Sequence, residues 1–97
     1  MTITKTYQLF MGRDIPSGGV VTDRDWNAFM HEVLDEYFDG YTVSDVDGVC
    51  KGTHERTKCV SICTHKVEYV RAVAQAYKDL FAQDSVALQV LDPLQFV

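Results

Sequence analysis

Two segments with the apolar spacing of amphipathic helices interrupt four short segments of strand-forming residues in this chain. The first helical segment follows Thr22, which precedes Asp23 and Asp25 as an N-cap residue precedes an acidic first turn. Its apolar residues are Trp26, Phe29, Met30, Val33, Leu34 and Tyr37. Those of the second segment are Val70, Val73, Ala74, Tyr77, Leu80 and Phe81. Each helix must bury one face against another layer of structure.

The strand-forming segments are residues 6–11, 41–46, 55–63 and 85–91. Asp47-Gly48 predicts a turn after the second strand, and Thr64 is a predicted N-cap for the second helix. The order β-α-β-β-α-β predicts an α+β fold of the ferredoxin-like type. Right-handed crossovers then place both helices on one face of a four-stranded antiparallel sheet. We expect one such domain over residues 1–97.

The other face of this sheet is predicted to be left uncovered by the helices. An exposed apolar sheet face on so small a domain is typical of association. We therefore expect a homo-oligomer, and sheet-to-sheet packing into a dimer or trimer would cover that face.

Composition narrows the classes of partner. The 97 residues carry a formal net charge of −5, which argues against nucleic acid and anionic membrane surfaces, because both need a basic footprint. Residues Met1–Thr6 have no apolar leader pattern and no segment reaches membrane-spanning length, so we expect a cytoplasmic protein. The cysteines and histidines lack paired zinc-ligand spacing, so neither a metal nor another cofactor is predicted.

Polar residues are predicted to gather at one end of the sheet, where the loop 12–19, the hairpin and the segment 83–85 meet. They are Arg13, Asp14, Asp45, Asp47, Glu55, Gln83 and Asp84. Carboxylates beside a glycine-rich loop suit a small polar ligand that carries positive charge. A simpler interpretation stays open for each of them: a solvated loop pair, turn chemistry, helix termination, or, for Glu55, balance of Arg56 and Lys58 across the hairpin.

The chain is similar, nearly end to end, to an uncharacterised bacterial family of small domains of unknown function. The pattern lies in residues 9–13, Trp26 with Phe29, and residues 39–43, 55–58, 77–78 and 81–86. This resemblance implies no activity.

The second half also resembles the phage S-adenosylmethionine (SAM) lyases, through residues 45–48, 55–57 and 82–86. That resemblance implies a trimeric ferredoxin-like enzyme that destroys the methyl donor and so blunts host methylation-based defence. It implies that Glu55 is the essential active-site carboxylate. The substrate-binding residues expected beside it are Phe10, Arg13, Tyr41, Asp45, Gln83, Asp84 and Ser85. The family has a tyrosine in the hairpin where this chain has Val49-Cys50-Lys51, so Tyr41 or Tyr7 would have to substitute.

Two other functions remain open from the sequence. The polar end could bind a nucleotide-like ligand without turning it over, as a sponge or a sensor. Alternatively, the domain could be an oligomerising structural module whose polar end is inert.

Overall fold

A computed structural model describes residues 4–97, with only the backbone of Cys50. Residues 1–3, which begin the N-terminal segment without a leader pattern, lie outside the described residues. The elements are β1 (Lys5–Gly12), α1 (Asp23–Phe29), a π-helical turn (Met30–Leu34), α2 (Asp35–Tyr37), β2 (Thr42–Cys50), β3 (Thr53–Thr64), α3 (Val67–Phe81) and β4 (Ala87–Leu91). The sheet order is β2-β3-β1-β4 with every neighbouring pair antiparallel. The predicted α+β, ferredoxin-like fold is confirmed.

The first helical segment starts where the sequence predicts. The Thr22 hydroxyl accepts a hydrogen bond from the Asp25 N–H at 3.1 Å, and the Asp25 carboxylate accepts one from the Thr22 N–H at 3.1 Å. This reciprocal capping box satisfies two backbone donors that a helix start leaves unpaired. The second helix differs from its prediction: its N-cap is Lys66, and the Thr64 hydroxyl instead accepts from the Lys66 N–H at 3.1 Å.

The core lies between one face of the sheet and both helical segments. Alternate residues of β1 and β3 point to this face, and the helices bring their apolar stripes onto it. The buried sheet residues are Tyr7, Leu9, Met11, Val60 and Ile62; the buried helix residues are Trp26, Phe29, Leu34, Val70, Val73 and Tyr77. Both helices therefore cover the same face, as the crossover rule requires.

The β2–β3 hairpin extends further than its sequence suggests. Its turn is Lys51-Gly52, where both residues have positive φ (51° and 79°), and Cys50 pairs with Thr53. Positive φ at both central residues is typical of a two-residue type I′ hairpin turn. The turn predicted at Asp47-Gly48 is wrong, because both residues continue the ladder. The hairpin thus forms an arm of paired strands, residues 45–58.

The second face of the sheet carries neither helix, as expected, and it presents apolar residues such as Phe10 and Ala87 beside polar ones. Gln8, Ser44 and Ser61 lie on it, and the Gln8 amide donates to the Ser61 hydroxyl at 3.2 Å. We call this surface the open face.

Within the described part of the chain, no helix is long and apolar enough to cross a membrane.

Candidate functional site

Strand alternation divides the charged residues of the hairpin arm between two surfaces. Glu55 is paired with Gly48 and lies on the open face, whereas Arg56 and Lys58 lie on the side that faces the helices. Glu55 therefore does not balance Arg56 and Lys58 across the hairpin, and that simpler interpretation of Glu55 is wrong.

A cavity of about 360 Å³ lies on the open face at the hairpin end of the sheet. It is lined by Phe10, Gly12, Gly48, Val49, Glu55, Thr57, Gln83, Ser85 and Ala87. Its volume falls in the range of about 300 to 1,000 Å³ found for small-molecule pockets. Among these lining residues Glu55 alone is ionisable. The structure thus brings together Glu55, Phe10, Gln83 and Ser85 from the predicted site.

Gly12 leaves the space that the Glu55 carboxylate occupies. A Cβ atom on Gly12 would lie 2.2 Å from Glu55 Oε1 and 2.7 Å from its carboxyl carbon, so no larger residue fits without moving the carboxylate. The Asp14 N–H donates to Oε1 at 3.1 Å. The half-buried Glu55 therefore lies against the end of β1. Its carboxylate occupies the space that a side chain at Gly12 would fill, and it accepts a hydrogen bond from one backbone N–H.

Two side chains, one in the last turns of α3 and one just after it, hold the same stretch of backbone. The Tyr77 hydroxyl donates to the Gly12 carbonyl at 2.6 Å, and the Gln83 amide donates to the Asp14 carbonyl at 2.9 Å. Burial, with a smaller contribution from the Glu55 charge, raises the pKa of Tyr77 above its ordinary value, although nearby Arg13 acts in the opposite direction. Tyr77 therefore stays protonated and remains a donor at neutral pH.

Arg13 lies outside the cavity, and its expected place beside Glu55 is wrong. Its guanidinium is buried, donates through Nε to the Val21 carbonyl at 2.9 Å, and forms an ion pair with Asp23 at 2.8 Å. These contacts fix the loop that follows β1 to the start of α1. Alternation explains the position, because Met11 points to the core and Arg13 follows it on the same side.

Asp45 also lies on the helix-facing side, so its expected position near Glu55 is wrong. Its carboxylate pairs with Lys58 Nζ at 2.6 Å, and that hydrogen bond and charge lower the pKa of Asp45. The same ammonium lies 5.8 Å from the ring centroid of Trp26. A separate cavity of about 480 Å³ on this side is lined by charged residues of both signs, including Arg13 and Asp23.

Tyr41 and Asp84 do not join the Glu55 cavity either. Tyr41 precedes β2 at its other end, seven residues before Gly48, which places it roughly 23 Å away along the strand. Its hydroxyl donates to the Asp35 carboxylate at 2.5 Å. Asp84 is exposed and lies outside the lining residues. The predicted strand 41–46 already begins at the end opposite the hairpin, so the error lies in the expectation that Tyr41 binds substrate and not in the strand prediction.

Replacing Tyr41 with phenylalanine is expected to change alkaline titration but not the Glu55 cavity. Burial first, then the hydrogen bond and charge of Asp35, raise the pKa of Tyr41 from 10.0 to about 12. Because the folded-state pKa is the higher one, the stabilisation is complete below pH 10 and is lost as the pH rises towards 12. Tyrosinate absorbance at 295 nm should show one late-titrating group fewer in Tyr41→Phe. An unchanged late phase would contradict the Tyr41–Asp35 contact.

Gly12, Gly48, Thr57 and Tyr77 contribute to the site without having been singled out as site residues. A glycine inside a strand often marks a close approach by another group, and that signal was present at Gly12 and Gly48. The sequence around Tyr77 predicts only that it lies on the buried face of a helix. Its hydroxyl contacts a residue 65 positions away in sequence, and such a contact leaves no local pattern. Among the described side chains, no three His, Cys, Asp or Glu residues are grouped so as to hold a metal ion.

Comparison with known proteins identifies a solved structure with a similar fold and a matching protein family. No curated protein matches the chain. Among solved structures, a phage SAM lyase in complex with S-methyl-5′-thioadenosine has a similar fold, with a TM-score of 0.63 and 12% sequence identity over 92% of this chain and 81% of that one. Such low identity establishes the fold alone. The family model "Protein of unknown function (DUF3574)" matches residues 6–95, and the chain therefore belongs to the DUF3574 family.

Proposed function

We propose that the protein is a SAM lyase that cleaves SAM to 5′-methylthioadenosine and homoserine lactone at the Glu55 cavity. The observation that carries this proposal is a single carboxylate, fixed by Gly12 and by the Asp14 N–H, in a cavity whose other lining residues are uncharged. A phage SAM lyase shares the fold, which supports the choice of substrate.

The reaction requires little from the protein. The substrate's own carboxylate oxygen attacks its γ-carbon, the γ-carbon–sulfur bond breaks, and the bonding pair neutralises the sulfonium to give the thioether. No proton is transferred and no water enters. Well-oriented intramolecular reactions reach effective molarities of about 10⁵ to 10⁸ M, so the main task proposed for the protein is to hold the reactive conformer. One ionised carboxylate and a shaped cavity are sufficient for this chemistry.

Three cavity residues have a direct role in this scheme. Glu55 attracts the cationic substrate and binds its ammonium or ribose, which favours one conformer. Phe10 offers an apolar surface to the adenine, and the exposed Ser85 offers a hydroxyl at the rim. The product thioether has lost the sulfonium charge, so its attraction to Glu55 is weaker and release is favoured.

Binding without turnover is the second candidate, and the hairpin favours it. Val49, 59% exposed, lines the cavity in the hairpin where the resembled lyases have a tyrosine. Tyr41 does not replace that tyrosine, because its hydroxyl is paired with Asp35 at the far end of β2. A sponge or sensor would retain the ligand intact.

The finer parts of the proposal follow the same resemblance. We propose a cytoplasmic homotrimer that depletes the methyl donor and thereby counters methylation-based defence. Light scattering should give a mass near three times that of the 11.0 kDa chain. A monomer at micromolar concentration would contradict the trimer. The cavity would then be formed by a single chain.

The test is incubation of the purified protein with SAM, followed by chromatography and mass spectrometry of the products. We expect 5′-methylthioadenosine and homoserine lactone in equal amounts, and a loss of rate of about 100-fold or more in Glu55→Gln, the usual scale for a preorganised electrostatic group. Asp84→Asn, an exposed carboxylate outside the cavity, is the matched control and should retain the rate. Tight binding with full recovery of SAM would favour the second candidate; full activity in Glu55→Gln would refute the assigned role.

A further inference from the structure

Successive peptide groups after the end of β1 have both of their polar atoms engaged. In the group that joins Gly12 to Arg13, the carbonyl accepts from the Tyr77 hydroxyl at 2.6 Å. The N–H of the same group donates to the Arg56 carbonyl at 2.9 Å. One partner belongs to α3 and the other to β3, so this peptide is fixed from two sides.

The next peptide group supplies the donor to Glu55. The Arg13 carbonyl accepts from the Val21 N–H at 2.7 Å, and the Asp14 N–H donates to the Glu55 carboxylate at 3.1 Å. A planar peptide turns as a unit. The direction of this N–H therefore depends on how firmly the peptide groups on either side are held.

The third group is held by Gln83. Its carbonyl, that of Asp14, accepts from the Gln83 amide at 2.9 Å, while the Ile15 N–H donates to the Gly19 carbonyl within the loop. Asp14 itself is exposed. Gln83 is thus the partner from outside the loop 13–21 that fixes the peptide immediately after the Glu55 donor.

We propose that Gln83 is a positioning residue: its amide holds the Asp14 peptide so that the Asp14 N–H points at Glu55 and keeps the carboxylate in the cavity. The expected effect on SAM turnover rests on the proposed function, whereas the expected effect on the Asp14 N–H does not. This positioning role is distinct from the expectation that Gln83 binds substrate: the contact with Asp14 uses one N–H of an amide that has two N–H groups and an oxygen.

Gln83→Met removes the donor while keeping an unbranched side chain of similar length. The Asp14 carbonyl then turns to water, the Asp14 N–H loses its fixed direction, and the Glu55 side chain gains rotational freedom. We expect kcat to fall by about 10- to 100-fold with KM nearly unchanged, as for a misplacement of about 1 Å. A residue that bound substrate directly would raise KM instead.

The test uses the ¹H–¹⁵N signal and solvent-exchange rate of the Asp14 amide in the full-length protein, with SAM turnover measured in parallel. Glu55→Ala defines the signal when the acceptor is absent. We expect the Asp14 amide in Gln83→Met to move towards the Glu55→Ala position and to exchange faster. Gln83→Lys, which keeps an N–H donor, should remain near wild type and provides a second variant if Gln83→Met does not fold.

Gln75→Met is the matched control, because the Gln75 amide donates at 2.8 Å to Asp79 on the exposed surface of α3, away from the cavity. It should leave the Asp14 amide unchanged. An Asp14 signal in folded Gln83→Met identical to wild type would overturn the proposal. If wild-type protein does not cleave SAM, the lyase fails, but the amide measurement still decides the role of Gln83.

Discussion

Gly12→Ala is expected to abolish SAM cleavage to the level of Glu55→Gln, a loss of about 100-fold or more, without unfolding the protein. The new Cβ atom would lie 2.2 Å from Glu55 Oε1, so the carboxylate must leave its position. The backbone does not require glycine at this position, because Gly12 is not among the described residues with positive φ. The clash falls on the end of a flexible side chain, which can swing away at small cost.

The separation of activity from stability makes this variant informative. Steady-state turnover and thermal unfolding should be measured on Gly12→Ala and on Gly40→Ala, where an added Cβ meets no atom within 4 Å. We expect both melting temperatures within a few degrees of wild type and activity lost only in Gly12→Ala. Full activity in Gly12→Ala would show that the position of the Glu55 carboxylate does not matter for the reaction.

Tyr77→Phe is expected to lower the free energy of unfolding by about 1 to 3 kcal/mol, because the partly buried Gly12 carbonyl loses its side-chain donor. Tyr77→Ala should cost about 3 to 5 kcal/mol, since it also leaves a cavity among Trp26, Phe29 and Phe81. A domain of this size is stable by only about 5 to 15 kcal/mol. Tyr77→Ala therefore approaches complete loss of the folded state.

Urea denaturation followed by circular dichroism measures both changes. Tyr69→Phe is the control: Tyr69 is half-buried and packs on Tyr37, with ring centroids 5.3 Å apart. Removing its hydroxyl should change stability by less than about 0.5 kcal/mol. A Tyr77→Phe protein as stable as wild type would mean that the Gly12 carbonyl is satisfied without the phenol, and the link between α3 and the site would fail.

The features confirmed from sequence are those with local causes. The Thr22 cap follows from hydroxyl and carboxylate groups three residues apart, and the helical spacing from Trp26 onward follows from the need to bury one face. The fold follows from the order of elements, because handedness and short connections leave few arrangements. Predicting these features does not require knowledge of any particular contact between distant residues.

The site was predicted only in part, because its members were assigned to an end of the sheet and not to a face. Glu55, Phe10, Gln83 and Ser85 meet, while Arg13 and Asp45 lie on the opposite side. Alternation from the buried Met11 would have placed Arg13 correctly. The Gly12 and Tyr77 contacts could not be predicted in this way, because they join segments that only the finished fold brings together.

The turn at Lys51-Gly52 has a consequence for the chemistry on the open face. Residues 55–58 alternate acid, base, hydroxyl and base, so successive residues present unlike groups to the two sides of the arm. A slip of one residue in the pairing of β3 would exchange the faces and place Arg56 where Glu55 now stands. A cavity that attracts cations would then repel them. Gly52 does not line the cavity, but its φ of 79° allows the turn that sets this pairing. It thus helps to determine the sign of the charge that a ligand meets.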